Sequence, residues 1–154
     1  MRFLLSSAMI GLGLLPVTVQ AQQPFKTQVA AIVEALRLAA PNTGSENDGL
    51  YSQWQVKPET FRSWSKYCLK KEVPPIQFEK DPQLARQVIS CIMERELKQQ
   101  LEATNNQTEA VSRTACWWMT GTYTCCNNGF TADYVKKVLE YYQKQASQTE
   151  SSTN

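Results

Sequence analysis

The apolar stripe Leu84, Val88, Ile89, Ile92, Met93, Leu97 and Leu101 limits the folds open to this chain more than any other feature. Steps of three and four put these side chains on one face of a helix of about five turns. Asp81 supplies the cap, and Pro82 fits the first turn, where its missing N–H costs nothing. Glu94, Glu96 and Lys98 fall mostly away from the stripe. A face that long must be covered, and the other periodic segments are helical too. Gln28 to Ala40 carries Val29, Ile32, Val33 and Leu36 and stops at Pro41. A second helix starts at Pro58 and carries Phe61, Trp64 and Cys68. After the long helix, a fourth carries Ala110, Val111, Ala115, Cys116, Trp117, Trp118 and Met119 and ends before Gly121. Thr131 caps a fifth, with Tyr134, Val135, Val138, Leu139 and Tyr142 inward. No stretch has a strand's alternation, so the expected class is all-α with five helices. Between them, Pro41 to Gly49 is a loop and Glu72 to Gln77 a rigid connector.

The ends differ from this middle. Arg2, the apolar run Phe3 to Leu15 and the small-x-small triplet Val19-Gln-Ala21 read as a secretory leader cleaved after Ala21. That run is too short to span a bilayer, which takes about 20 residues. Cutting 21 of 154 residues leaves 133, one domain's worth. Residues 22–27 are a loose lead-in, 28–142 the helical domain, and 143–154 a polar tail expected to be disordered.

Export fixes how the cysteines are read. Cys68, Cys91, Cys116, Cys125 and Cys126 are an odd set in an oxidising compartment, so two bridges leave one thiol. Cys68–Cys91 is the expected first pair, and Cys116 with Cys125 or Cys126 the second; bridging the adjacent cysteines is strained. The leftover thiol allows a disulfide-linked dimer. The spacings lack paired C-x-x-C units, so no metal is expected. The chain has no histidine, which excludes imidazole bases and Ser-His or Cys-His nucleophiles. Once Arg2 leaves with the leader, 15 basic residues face 14 acidic ones, no electrostatic footprint for nucleic acid or an anionic membrane.

Function centres on Tyr51 to Trp64. Tyr51, Gln53, Trp54 and Gln55 precede a helix start, and this mix suits a sugar site: rings stack on pyranose faces and amides bind hydroxyls. The same residues also suit a core aromatic cluster at a loop–helix junction. Trp118 and Tyr123 are further candidates for a saccharide groove, with only one of Trp117 and Trp118 expected to face it.

Three segments resemble the lysozyme-like superfamily, lytic transglycosylases in particular. Trp54-Gln-Val-Lys-Pro-Glu-Thr-Phe61 sits on their Met-Gln-Ile-x-Pro-x-Thr-Trp motif. Ala115-Cys-Trp-Trp-Met-Thr-Gly121 falls where they carry Ala-Ala-Tyr-Asn-Ala-Gly, and Tyr134-Val-Lys-Lys-Val-Leu139 matches their closing helix. The chain is also similar to uncharacterised secreted proteins of cyanobacterial type. The resemblance covers about residues 28 to 142 and implies a lysozyme-like helical domain. It further implies cleavage of the peptidoglycan glycan strand by a single glutamic acid, with no cofactor. The family's Glu-Ser dipeptide is absent. Glu34 in the first helix and Glu46 in the following loop are the candidate acids, with Asp48 as a second carboxylate. A general acid of this kind needs a dry pocket that raises its pKa.

Two further readings stay open. One is a module of the same fold that binds peptidoglycan, another polysaccharide or a protein after losing the acid. The other is a small secreted inhibitor or structural domain held by disulfides.

Overall fold

The computed structural model describes residues 24–43, 48–124 and 126–151. The proposed leader, Glu46 and Cys125 lie outside them. The described residues form six helices and no strand: α1 (Phe25–Ala39), α2 (Pro58–Leu69), α3 (Pro75–Lys80), α4 (Pro82–Thr104), α5 (Gln107–Thr120) and α6 (Gly129–Ser151). The all-α class is as expected, with one helix more. That extra helix is α3, which starts within the segment read as a rigid connector and runs three residues past its end. Pro75 opens it, and one side chain justifies it: Phe78 is fully buried and stacks on Phe61 at 4.1 Å.

Four helices make the core. α4 packs on α1 and α5, and α6 packs on α1 and α5, which closes a ring of four. α2 and α3 lie together against α4. The centre holds Ile32, Val33 and Leu36 of α1, Val88, Ile89, Ile92, Met93 and Leu97 of α4, Val111 and Ala115 of α5, and Val138 of α6, each with no exposed surface. Burying a Leu, Ile or Val side chain contributes about 1.5–3 kcal/mol, so this cluster is the main driving force.

The helix ends follow their sequence signals. Asp81 accepts hydrogen bonds from the N–H groups of Gln83 and Leu84 at 3.0 Å. Asn106 accepts one from Glu109 N–H. Gly121 (φ 78°) ends α5, a left-handed position that a Cβ disfavours. Three boundaries differ. α1 begins at Phe25, because that ring packs against the core; the lead-in of 22–27 is shorter than expected. α6 begins at Gly129 instead of being capped by Thr131, whose hydroxyl donates to Asn128 C=O. α6 also continues to Ser151, where a disordered tail from Gln143 was expected. The polar composition that suggested disorder is the composition of a solvated helix grown from a packed stem, because extending a formed helix avoids the cost of nucleation.

Two disulfides are present. Cys68–Cys91 ties α2 to α4, and Cys116–Cys126 ties the last turn of α5 to the following loop. Each closes a loop of 23 or 10 residues' separation and contributes about 3 kcal/mol on the chain-entropy model. The open choice at Cys116 is thus resolved in favour of Cys126. No described helix is long and apolar enough to cross a membrane.

Candidate functional site

The loop before α2 is a tight turn closed by a pair of backbone bonds. Tyr51 N–H donates to Val56 C=O at 2.9 Å, and Val56 N–H returns to Tyr51 C=O at 3.0 Å. Inside it, Ser52 and Gln55 sit at φ 65° and 55°, left-handed values that cost a non-glycine residue about 1 kcal/mol or more. The surroundings hold this strain in place. Glu79 of α3 accepts from Ser52 N–H at 2.6 Å, and the Gln55 side-chain amide donates to Ser52 C=O at 3.1 Å.

The turn drives Trp54 into the core. Its ring is 2 % exposed, and its Nε1–H donates to Val33 C=O of α1 at 2.8 Å. Trp54 therefore acts first as an anchor, and Gln55 as a brace on its own turn. Tyr51 is half-buried at the bridge, and Gln53 is exposed.

A groove of about 510 Å³ opens beside this turn, within the range of roughly 300–1,000 Å³ typical of ligand sites. Its walls are Trp64 from α2, Trp117, Trp118 and Met119 from α5, and Leu50 and Val56 from the loop. Lys57, Thr60 and Gln55 bring polar groups to it. The ring centroids of Trp64 and Trp117 lie 6.2 Å apart at 19°, and those of Trp64 and Trp118 5.4 Å apart at 44°. Both neighbours on α5 thus reach the groove, contrary to the expectation that only one would. Residues in sequence are 100° apart on a helix, and Trp64 stands close enough to touch both. A second, polar cavity of about 260 Å³ adjoins the first. Arg37, Asn42, Thr43 and Gln53 line it, and Pro41 and Gln55 line both.

The carboxylates decide the chemistry. No Asp or Glu is among the described residues lining either cavity. Glu34 is held by two arginines: Arg37 Nη2 approaches at 2.5 Å and Arg86 Nη2 at 2.9 Å. The hydrogen bond from Arg37, with help from Arg86, outweighs partial burial and holds the Glu34 carboxyl below its ordinary range. A general acid needs the opposite shift, so this geometry does not fit the proton-donor role expected of Glu34. Arg86 also lies over the Trp54 ring at 5.1 Å, which fixes the pair against the strained turn. Asp48, the other nearby carboxylate, accepts from the Thr43 hydroxyl and from Leu50 N–H. Both bonds favour its ionised form, and it too is held below the usual range.

The buried carboxylate is elsewhere. Glu96 of α4 is 3 % exposed. The sequence reading placed it away from the apolar stripe, yet Ala85, Val88, Ile89, Ile92, Met93, Glu96, Leu97 and Gln100 form one continuous buried face. Arg95 pairs with Glu96 at 2.5 Å, and the Tyr123 hydroxyl donates to its other oxygen. Tyr123 in turn stacks on Trp117 at 6.2 Å and 14°. Burial, then the bond to Glu96 and its charge, push the Tyr123 hydroxyl up to about 12. A line of contacts thus runs from the buried charge to the groove wall. Tyr123 braces that wall from behind instead of lining the groove.

Of the residues expected at a saccharide site, the fold brings Trp54, Gln55 and Trp118 to one groove and Gln53 to the adjoining cavity. Tyr51 and Tyr123 support the walls. Sequence reasoning did not single out Trp64, Lys57 or Thr60 as site residues. The signal for Trp64 was present: it lies three residues after Phe61 on α2, yet the helix has only Phe61 and Ser65 fully buried. Among the described residues no group of three or more Cys, Asp or Glu is placed to hold a metal. No protein-family model matches the chain, and no curated protein or solved structure matches it.

Proposed function

We propose that this chain is an exported helical domain of the cell envelope that binds a glycan strand without cleaving it, a lysozyme-like module that has lost its acid. The observation carrying this reading is the groove itself: three tryptophans on two helices beside a strained turn, with no carboxylate in its described lining. Aromatic faces offer apolar area for the C–H faces of sugar rings, and Gln55, Thr60 and Lys57 offer groups for hydroxyls. The two disulfides fit an oxidising compartment. The Arg-paired state of Glu34 argues for binding over turnover.

The test is retention on purified peptidoglycan sacculi and on other insoluble polysaccharides, with soluble fragments measured in the same tubes. The reading predicts retention that Trp118→Ala weakens at least tenfold, and no fragment release. Release that disappears in Glu46→Gln would restore a hydrolytic or lytic enzyme. Retention on no polysaccharide would remove the glycan altogether.

A further inference from the structure

We infer that the ligand of this groove is an acidic polysaccharide, one whose sugar units carry carboxylates. This rests on the glycan reading above and narrows it. The two cavities share Pro41 and Gln55 as lining and so lie side by side, the first aromatic and the second polar, and a strand laid across both would use them as one cleft. A cleft of that form suits a chain better than a compact small molecule.

Among the described residues its ionised lining is of one sign: Lys57 at the aromatic end and Arg37 at the polar end. Lys57 is exposed and has no salt bridge among the described residues. Arg37 is bonded to Glu34, but Glu34 also holds Arg86, so two cations share one carboxylate and leave an excess positive charge there. The described carboxylates nearest in sequence, Asp48 and Glu59, do not line the cleft, and Glu46 lies outside the described residues. Asp48 is tied to Thr43 and Leu50, and Glu59 is exposed in the first turn of α2. A neutral glycan would leave Lys57 without a counter-charge and Arg37 with only a shared one; a uronate-bearing strand would supply one to each end.

Aromatic rings with cations also suit single-stranded nucleic acid. The glycan is favoured here because a nucleic-acid groove needs a run of cations following a phosphate backbone, and the whole chain has a formal net charge of only +2.

The experiment compares two hexasaccharides with the same β-1,4-linked backbone, cellohexaose and its counterpart oxidised at C6 to glucuronate. Each is titrated into the full disulfide-bonded protein, followed by tryptophan fluorescence and calorimetry. Partly exposed ion pairs contribute a few-fold each, so the expected preference for the uronate is about three- to tenfold at low ionic strength. It should shrink as salt rises to 0.5 M. Lys57→Gln should lower uronate affinity more than neutral affinity, bringing the ratio toward one. Equal affinity for both hexamers, or a preference untouched by Lys57→Gln, overturns the acidic-ligand inference and leaves the glycan groove standing. Binding of neither overturns the glycan reading as well. Oligo-dT binding more tightly than the uronate replaces the polysaccharide with a nucleic acid.

Discussion

Glu34 and Glu96 are both glutamates paired with arginine, yet they sit in regions with opposite demands. Glu34 lies at the rim of the core on α1, where two arginines and solvent stabilise its charge. Glu96 lies inside, on the buried face of α4, where Arg95 and the Tyr123 hydroxyl supply what water cannot. The first pair can be lost at little cost, because solvent takes over. The second costs more, because Glu96 itself is buried and its loss takes the acceptor from the half-buried Tyr123 hydroxyl, although the exposed Arg95 can turn to water. The residue that resembled a catalytic acid is thus a surface ion cluster. The residue that resembled a surface charge is the support of the groove.

The largest effect expected from this contrast is at Glu96. Glu96→Ala removes the acceptor from both Arg95 and Tyr123 and should cost about 2–3 kcal/mol in chemical denaturation, the loss of bonds to a charged group at a buried position. A loss under about 1 kcal/mol would mean that the α4 interior is wetter than described. Trp118→Ala should follow, with at least tenfold weaker glycan retention, about 1.4 kcal/mol, and melting that remains cooperative.

Two tyrosines sharpen the comparison further. Tyr123→Phe removes a hydroxyl that has a charged partner and should destabilise by about 1.5–3 kcal/mol. Tyr134→Phe removes a buried hydroxyl with no hydrogen-bond partner among the described residues. Burial alone pushes that group well above the ordinary tyrosine range. Its loss should therefore stabilise by about 1 kcal/mol. Parallel changes of the same sign in thermal melts would contradict the assignment of partners.

The smallest effect is at Glu34, and it appears with pH. Its folded pKa is below its ordinary 4.5. The pair therefore adds stability above about pH 4.5 and loses it as pH falls through the lowered folded value. Glu34→Gln should cost about 0.5–1 kcal/mol at pH 7, after allowance for solvent screening, and nothing in strong acid. Tyr123 runs the other way. Its folded value is raised from 10.0 to about 12, so its contribution holds below pH 10 and fades from there to about pH 12. Comparing Glu34→Gln and Tyr123→Phe melts across pH 2 to 12 separates the two regions directly.

Much of the frame was legible because it rests on periodicity and caps. The stripe on α4, the Asp81–Pro82 start, the Gly121 stop and the Cys68–Cys91 pair follow from local chemistry. The helix α3 was not legible, because six residues between prolines carry too little periodicity. Glu96 was misjudged because charge alone suggests solvent; only the full repeat from Ala85 to Gln100 places it inward. At the site, Trp54 and Gln55 were visible as a cluster, but their roles as anchor and brace depend on a turn whose left-handed residues, Ser52 and Gln55, no propensity favours. Arg86, 52 residues from Glu34, pairs with it only through the packing of α4 on α1. The absence of a Glu-Ser dipeptide from α1 agrees with the arginine-paired state of Glu34.

The most direct measurement is incubation of the wild-type protein with purified sacculi at equal molar protein across pH 4 to 8, with bound protein and released saccharide quantified together. The account predicts retention at every pH, weakened by Trp118→Ala, with release at the level of buffer alone. Saccharide release that rises with time and vanishes in Glu34→Gln or Glu46→Gln would contradict it.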